Sequence, residues 1–186
     1  NHLLIQSVII MEKMVEGCTS LDTVDFTGLD TSKVKDMDGM FYGCTNLTAV
    51  DLTNLNTSSS TDIRSMFLGC TNLTEIKGLN TLDTSLVKYF SHMFEGCSSL
   101  TSLDLSTFDT SKAKYMTDMF YGCSALTFLD LSSFDTSNVT SMPDMFYGCT
   151  KLSTVKLGDK FKFVGSATLP DNDGTWWKNA DTGKGY

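Results

Sequence analysis

Six cysteines divide the 186-residue chain at almost constant intervals. They lie 26, 26, 27, 26 and 26 residues apart, and a glycine precedes each one. The cysteines are Cys18, Cys44, Cys70, Cys97, Cys123 and Cys149. Self-similarity at a fixed period is typical of repeat proteins, in which one supersecondary unit stacks on the next. The sequence therefore predicts about six stacked units of about 26 residues.

Each unit has two halves that differ in the spacing of their apolar residues. In the clearest copy, residues 126–134 carry apolar side chains at steps of three, two and three, which predicts a short strand. Residues 139–149 place apolar side chains at steps of three, three, one and three, which predicts a short helix. Such a unit cannot bury its apolar edge alone, so we expect the strands of successive units to pair in parallel.

The charge of the chain excludes some classes of partner. The formal net charge is −8, which argues against nucleic acid and anionic membranes as partners. No apolar run approaches the ~20 residues that a membrane span needs, so no membrane insertion is expected in this segment. Residues 1–150 carry 8 basic and 18 acidic side chains (−10), and residues 151–186 carry 6 and 4 (+2). The repeat region is acidic and the tail is mildly basic.

The cysteine column allows three interpretations. Stacked one unit apart, the cysteines would lie within disulfide range, but parallel side chains in one column point the same way. A zinc site is poorly supported because no Cys-x-x-Cys pair occurs and the only histidines are His2 and His92. The pattern favours buried free thiols that pack as small apolar side chains, and no metal or cofactor is expected.

An acidic column is the first candidate binding site. Four aspartates occupy the outward position of the predicted strands, and Lys77 and Lys156 replace them in two copies. The aspartates are Asp25, Asp51, Asp104 and Asp130, with threonine and serine close by. The column is either a solvated strand face or a surface that binds basic protein patches, sugar hydroxyls or cations. Like charges one strand apart repel, so a purely structural role is not obvious.

A second aspartate column lies in the Asp-Thr-Ser turn, where a local capping role explains it. The column consists of Asp30, Asp83, Asp109 and Asp135, with Asn56 in one copy.

The tail is predicted to cap the stack. We divide the chain into a repeat domain over residues 1–157 and a β-rich capping segment over residues 158–186. Residues 161–164 alternate in polarity like a strand, and a turn cluster follows them. Trp176 and Trp177 either cover the open end of the last unit or form a platform for a sugar or a partner protein.

The repeat resembles that of a known family. Its unit is Met-Phe-x-Gly-Cys-x-x-Leu-x-x-Leu-Asp-Leu-x-x-Phe-Asp-Thr-Ser-x-Val, and copies span about residues 8–157. This unit is similar to the repeat of the BspA-family leucine-rich repeat proteins of bacterial surfaces. The resemblance implies an α/β repeat fold, a right-handed leucine-rich-repeat solenoid. It also implies a protein that is secreted or attached to the bacterial surface and is associated with adhesion.

These observations favour a non-catalytic extracellular interaction or adhesion module. Its strand face would meet a protein or glycan of a host or neighbouring cell. The first alternative is a structural spacer or rod that self-associates end to end, because the chain begins with an uncapped apolar cluster. The second is a non-catalytic piece of a larger enzyme. No enzyme activity is expected because His92, Arg64 and the tail residues form no recognisable catalytic set.

Overall fold

Within the described residues, four short strands, all paired in parallel, form where the sequence places the strand half of the unit. The computed structural model describes residues 9–21, 24–167 and 169. In chain order the strands are β1 (Ala49–Asp51), β2 (Glu75–Lys77), β3 (Phe128–Leu131) and β4 (Thr154–Leu157). β1 pairs with β2 and β3 with β4, each residue lying opposite the equivalent residue of the next unit. The predicted parallel stacking is confirmed for these four units.

The strand ladder is interrupted between β2 and β3. The interruption begins in the unit between Cys70 and Cys97, which is one residue longer than the others. After β2, Gly78 adopts a left-handed conformation with φ of 74°, and a 3₁₀ helix follows at Leu79–Thr81. A Cβ added at Gly78 would lie 2.7 Å from the backbone nitrogen of Thr53, so only glycine fits. Residues 100–105, which the sequence predicts as a strand, form none.

The second half of each unit forms successive turns, and the predicted short α-helices are not found in the ranges described above. The only helical element there is the 3₁₀ helix, and no helix in those ranges is long and apolar enough to cross a membrane. An α-helix needs continuous right-handed backbone dihedrals. Left-handed residues interrupt them, as at His92 (φ 60°), Asp118 (φ 53°) and Asp144 (φ 53°). The helical part of the predicted α/β repeat is therefore wrong.

Hydrogen bonds in these turns run between units. The N–H of Phe41 donates to the carbonyl oxygen of Met66 at 2.9 Å, and the N–H of Gly43 to that of Leu68 at 2.7 Å. Single parallel β-bridges join the same side of the stack through Ile10, Asp36, Asp62, Tyr89, Tyr115 and Ser141. Many donors that a helix would satisfy internally are thus satisfied by the neighbouring unit, and others bond locally, as Tyr42 does to Gly39, so stacking stabilises this half of the repeat.

One continuous apolar core runs through the stack. One column of it is a series of phenylalanine rings with centroids 5.2, 5.8, 5.7 and 5.9 Å apart, all within 9° of parallel. The rings belong to Phe41, Phe67, Phe94, Phe120 and Phe146, which are fully buried. Most methionines of the repeat lie in the same core. The apolar stripe that suggested a helix is therefore buried as predicted, although on turns.

The cysteines of the last five units lie in this core as free thiols. Each donates its S–H to a carbonyl oxygen of the preceding unit, as from Cys70 to Phe41 at 3.1 Å and from Cys149 to Phe120 at 3.0 Å. The predicted column of buried free thiols is confirmed for these five residues. Cys18 is the exception, because it is exposed.

The described part of the capping segment packs on the last unit without forming a strand. Phe161 and Ala167 are buried. The N–H of Lys162 donates to Oγ1 of Thr136 at 2.7 Å, and that hydroxyl donates to the carbonyl oxygen of Lys162 at 2.9 Å. The expectation of a β-rich cap is wrong for residues 158–167 and 169, since a threonine side chain anchors this backbone in place of a strand ladder. The domain boundary after residue 157 stays a prediction.

Candidate functional site

The strand face consists of the outward residues predicted from the sequence. We use this name for Asp25, Asp51, Lys77, Asp104, Asp130 and Lys156. Asp51 in β1 lies opposite Lys77 in β2, and Asp130 in β3 lies opposite Lys156 in β4. Asp25 and Asp104 hold the equivalent places in units that form no strand there. The structure therefore places adjacent members of this column on one side of the stack.

A local hydrogen bond fixes each aspartate of the strand face. The carboxylate of each accepts the N–H of the residue two positions later, at 2.8 Å for Asp25, 2.9 Å for Asp51, 3.2 Å for Asp104 and 2.9 Å for Asp130. Such contacts are characteristic of aspartate in turns. Hydrogen bonds from Thr27 and Ser106 hold the pKa of Asp25 and Asp104 below the usual value. These carboxylates are ionised at neutral pH, and each helps to turn the chain.

Two lysines neutralise part of the strand face. Nζ of Lys77 donates to Oδ2 of Asp51 at 2.6 Å, and Nζ of Lys156 lies 3.5 Å from Oδ2 of Asp130. The hydrogen bond from Lys77, with those from Thr53, lowers the pKa of Asp51 to about 2. The charge repulsion expected within the column is thus relieved where lysine replaces aspartate.

The second aspartate column makes the turn contacts predicted for it. Asp30, Asp109 and Asp135 accept the N–H of the serine two residues later at 3.0, 2.9 and 2.9 Å. Asp83 and Asn56 make the same contact at 3.0 Å each. The interpretation of this column as a structural turn element is confirmed.

A groove on the opposite half of the units was not predicted from the sequence. It has a volume of about 380 Å³, and we call it the turn groove; it is lined by Arg64, Tyr89, Ser91, His92, Tyr115 and Thr117. The guanidinium of Arg64 pairs with the carboxylate of Asp62 and lies 4.4 Å from the centroid of the Tyr89 ring. Tyr89 stacks on Tyr115 with centroids 5.4 Å apart. Arginine and tyrosine are enriched in protein interfaces, so the groove is a second candidate binding surface.

A group of ionisable side chains borders this groove. Nδ1 of His92 lies 2.7 Å from Oε2 of Glu95 and 3.5 Å from Oδ2 of Asp118. Burial raises the pKa of Asp118, and the charge of His92 opposes this shift. The repeat period could have predicted that His92 and Asp118 are neighbours, because they occupy the same position in consecutive units. Sequence reasoning missed it by treating His92 and Arg64 as isolated residues.

Trp176 and Trp177 lie outside the residues that the structure describes. Their predicted role, as part of the cap or as a binding platform, stays a prediction.

The stack is similar to solved structures of bacterial leucine-rich repeat proteins. A leucine-rich repeat protein of T. pallidum is 25% identical, with a TM-score of 0.50; the match covers 73% of this chain and 57% of that protein. One from Bacteroides ovatus is 23% identical, with a TM-score of 0.53 and coverage of 87% and 37%. This chain therefore spans little more than half of the first protein and about a third of the second. The likeness identifies a leucine-rich repeat fold.

No curated protein matches the sequence significantly. A protein-family model matches residues 3–77 and, in a second copy, residues 72–162. Together the two matches cover most of the chain, including β1 to β4. The chain therefore belongs to the family described as "Mycoplasma protein of unknown function, DUF285".

Proposed function

We propose that this chain is a non-catalytic extracellular interaction module of the BspA type. In this proposal it is a right-handed leucine-rich solenoid that is secreted or attached to the bacterial surface. It presents the strand face to a protein or glycan of a host or neighbouring cell. The observation that carries the proposal is the register of the strand face, where Asp51 lies opposite Lys77 and Asp130 opposite Lys156.

The hydrogen bonds of the strand face support this use. Each aspartate engages Oδ1 in its local turn contact, and Oδ2 can accept a donor from elsewhere. Oδ2 of Asp51 accepts from the ammonium of Lys77, and Oδ2 of Asp104 accepts from the side-chain amide of Asn80 at 2.8 Å. The same geometry suits lysine, arginine or hydroxyl donors of a partner. Because the turn contact already fixes the carboxylate, less side-chain entropy is lost on binding.

Asp25 and Asp104 are the residues on which a test of the strand face should concentrate. Within the described part of the chain, neither forms a salt bridge with lysine or arginine, so each retains its full charge for a partner. We expect the double variant Asp25→Lys with Asp104→Lys to bind epithelial cells and immobilised matrix proteins about tenfold more weakly. The difference should shrink as salt is added, because exposed charges are screened. Binding is measured by surface plasmon resonance and by cell adherence.

The matched control is the double variant Glu12→Lys with Asp159→Lys. It changes the net charge by the same amount at two exposed residues outside the strand face. Equal losses in the two variants would mean that only overall charge matters. Unchanged binding by the strand-face variant would show that the proposed surface is wrong.

The alternative function is a structural rod that associates end to end. Exposed apolar side chains in the first described unit favour it: Ile9, Ile10 and Met14 are 56%, 57% and 45% exposed. Apolar exposure of this kind is typical of surfaces that another element or chain covers. Light scattering over a concentration and salt series distinguishes the two functions, since the interaction module is expected to stay monomeric and the rod to grow with concentration.

A further inference from the structure

We propose that His92, Glu95 and Asp118 bind one divalent transition-metal ion, with Zn²⁺ as the representative ion. This site goes beyond the proposed interaction function and does not depend on it. The sequence predicted no metal site because it contains no Cys-x-x-Cys pair and only two histidines, His2 and His92. The three proposed ligands come together only when two units stack, because Asp118 lies in the unit after that of His92 and Glu95.

The distances among the donor atoms suit a metal ion. Nδ1 of His92 lies 2.7 Å from Oε2 of Glu95 and 3.5 Å from Oδ2 of Asp118, and one donor atom from each residue lies within 4.8 Å of the others. Imidazole nitrogen and carboxylate oxygen bind zinc at about 2.0–2.2 Å, so two ligands at a tetrahedral angle lie about 3.4 Å apart. The pair from His92 to Asp118 already has this spacing, whereas His92 and Glu95 are hydrogen-bonded and would have to move apart by about 0.7 Å to share an ion.

The charge around the three residues also favours a cation. Glu95 and Asp118 bring two carboxylates to a single imidazole. A single imidazole can offset at most one of these two negative charges, even when it is protonated. A divalent ion would balance their charge.

The donor set points to a class of ion. One imidazole with two carboxylates suits zinc and neighbouring first-row metals, whereas Mg²⁺ and Ca²⁺ prefer sites made entirely of oxygen. The side chains of His92, Glu95 and Asp118 are 36%, 29% and 22% exposed, so a bound ion would remain accessible from solvent. With three protein ligands, a tetrahedral ion keeps one position for water or for a donor group of a molecule in the turn groove.

The repeat provides variants that remove the ligands and spare the fold. His92 has a φ of 60°, and Gly39 holds the equivalent position of an earlier unit with a φ of 59°. His92→Gly therefore removes the imidazole without backbone strain. Glu95→Gln and Asp118→Asn keep the shape of each side chain and remove its charge.

The test uses the full chain with Cys18→Ser and His2→Ala, which remove the exposed thiol and the other histidine as competing ligands. Titration with ZnCl₂ by isothermal calorimetry is expected to show one ion per chain. Each of His92→Gly, Glu95→Gln and Asp118→Asn should weaken binding at least tenfold, and Glu12→Gln should leave it unchanged. A hundredfold excess of MgCl₂ should not displace the zinc.

Thermal unfolding followed by circular dichroism shows that each variant is folded before its titration is interpreted. The proposal is overturned if zinc does not bind the parent chain or if all three variants bind it as tightly. It is also overturned if only His92→Gly weakens binding, because a lone imidazole and not a three-residue site would then be the ligand.

Discussion

Replacing Phe94 by alanine is expected to lower the free energy of unfolding by about 3 to 5 kcal/mol, the range for removing a buried phenylalanine. Phe94 is fully buried in the middle of the ring column, 5.8 Å from Phe67 and 5.7 Å from Phe120. Its removal leaves a cavity and also breaks two stacking contacts, each of which contributes about 0.5 to 1.5 kcal/mol beyond burial. Urea unfolding monitored by circular dichroism measures the loss.

Tyr147→Ala is the matched control for this prediction. Tyr147 also stacks on an aromatic ring, that of Tyr121 at 5.1 Å, but it is 62% exposed. We expect it to lower the free energy of unfolding by less than about 1 kcal/mol, as surface substitutions usually do. Similar losses in the two variants would contradict the conclusion that the buried phenylalanine column holds the units together.

The period of the cysteines predicted most of the architecture, because a repeated position has the same surroundings in every unit. The buried phenylalanine, methionine and cysteine columns follow from that period, as do the parallel strand pairs. The 27-residue interval marks one extra residue in the third unit, but it does not show how the backbone accommodates that residue. At Gly78 the chain forms a left-handed turn followed by a 3₁₀ helix.

The helix prediction failed because two backbones can bury the same apolar stripe. Spacings of three, three, one and three suit one face of a helix, but they also suit successive turns whose apolar residues point into the stack. Hydrogen bonds to the next unit, such as Phe41 to Met66, decide between them. These bonds form only between stacked units and are not visible in the periodicity of a single unit.

The two candidate surfaces also differ in how far the sequence predicted them. The positions of Asp51 and Asp130 were predictable, since outward residues alternate along a strand. Their lysine partners were also visible in the sequence as substitutions in the column, but the contacts depend on which units are neighbours. The turn groove and the group around His92 combine equivalent positions of consecutive units, such as His92 and Asp118, with neighbouring positions such as Glu95, so they also require the lateral arrangement of the turns.

The buried thiols should be almost inert towards alkylating reagents in the folded protein. Burial raises the pKa of Cys70 and of Cys149 to about 12, and burial also raises the pKa of Cys97 and Cys123 well above the usual value. Only the thiolate reacts, and at pH 8 a thiol with a pKa near 12 is deprotonated in about one molecule in ten thousand. Burial raises the pKa of Cys44 as well, and its side chain is fully buried, so within a short reaction time we expect iodoacetamide to modify the exposed Cys18 alone.

Intact-mass spectrometry provides the count, with one modified thiol expected in the native protein and six after denaturation in guanidinium without a reducing agent. For the Cys18→Ser variant we expect no modified thiol in the native protein and five after denaturation. A count below six after denaturation of the parent chain would indicate disulfide bonds and would contradict the free-thiol column. Rapid modification of two or more thiols in the native protein would mean that the units open readily. Each buried thiol is covered by the unit before it. Cys97, for example, donates a hydrogen bond to the carbonyl oxygen of Phe67 at 3.1 Å.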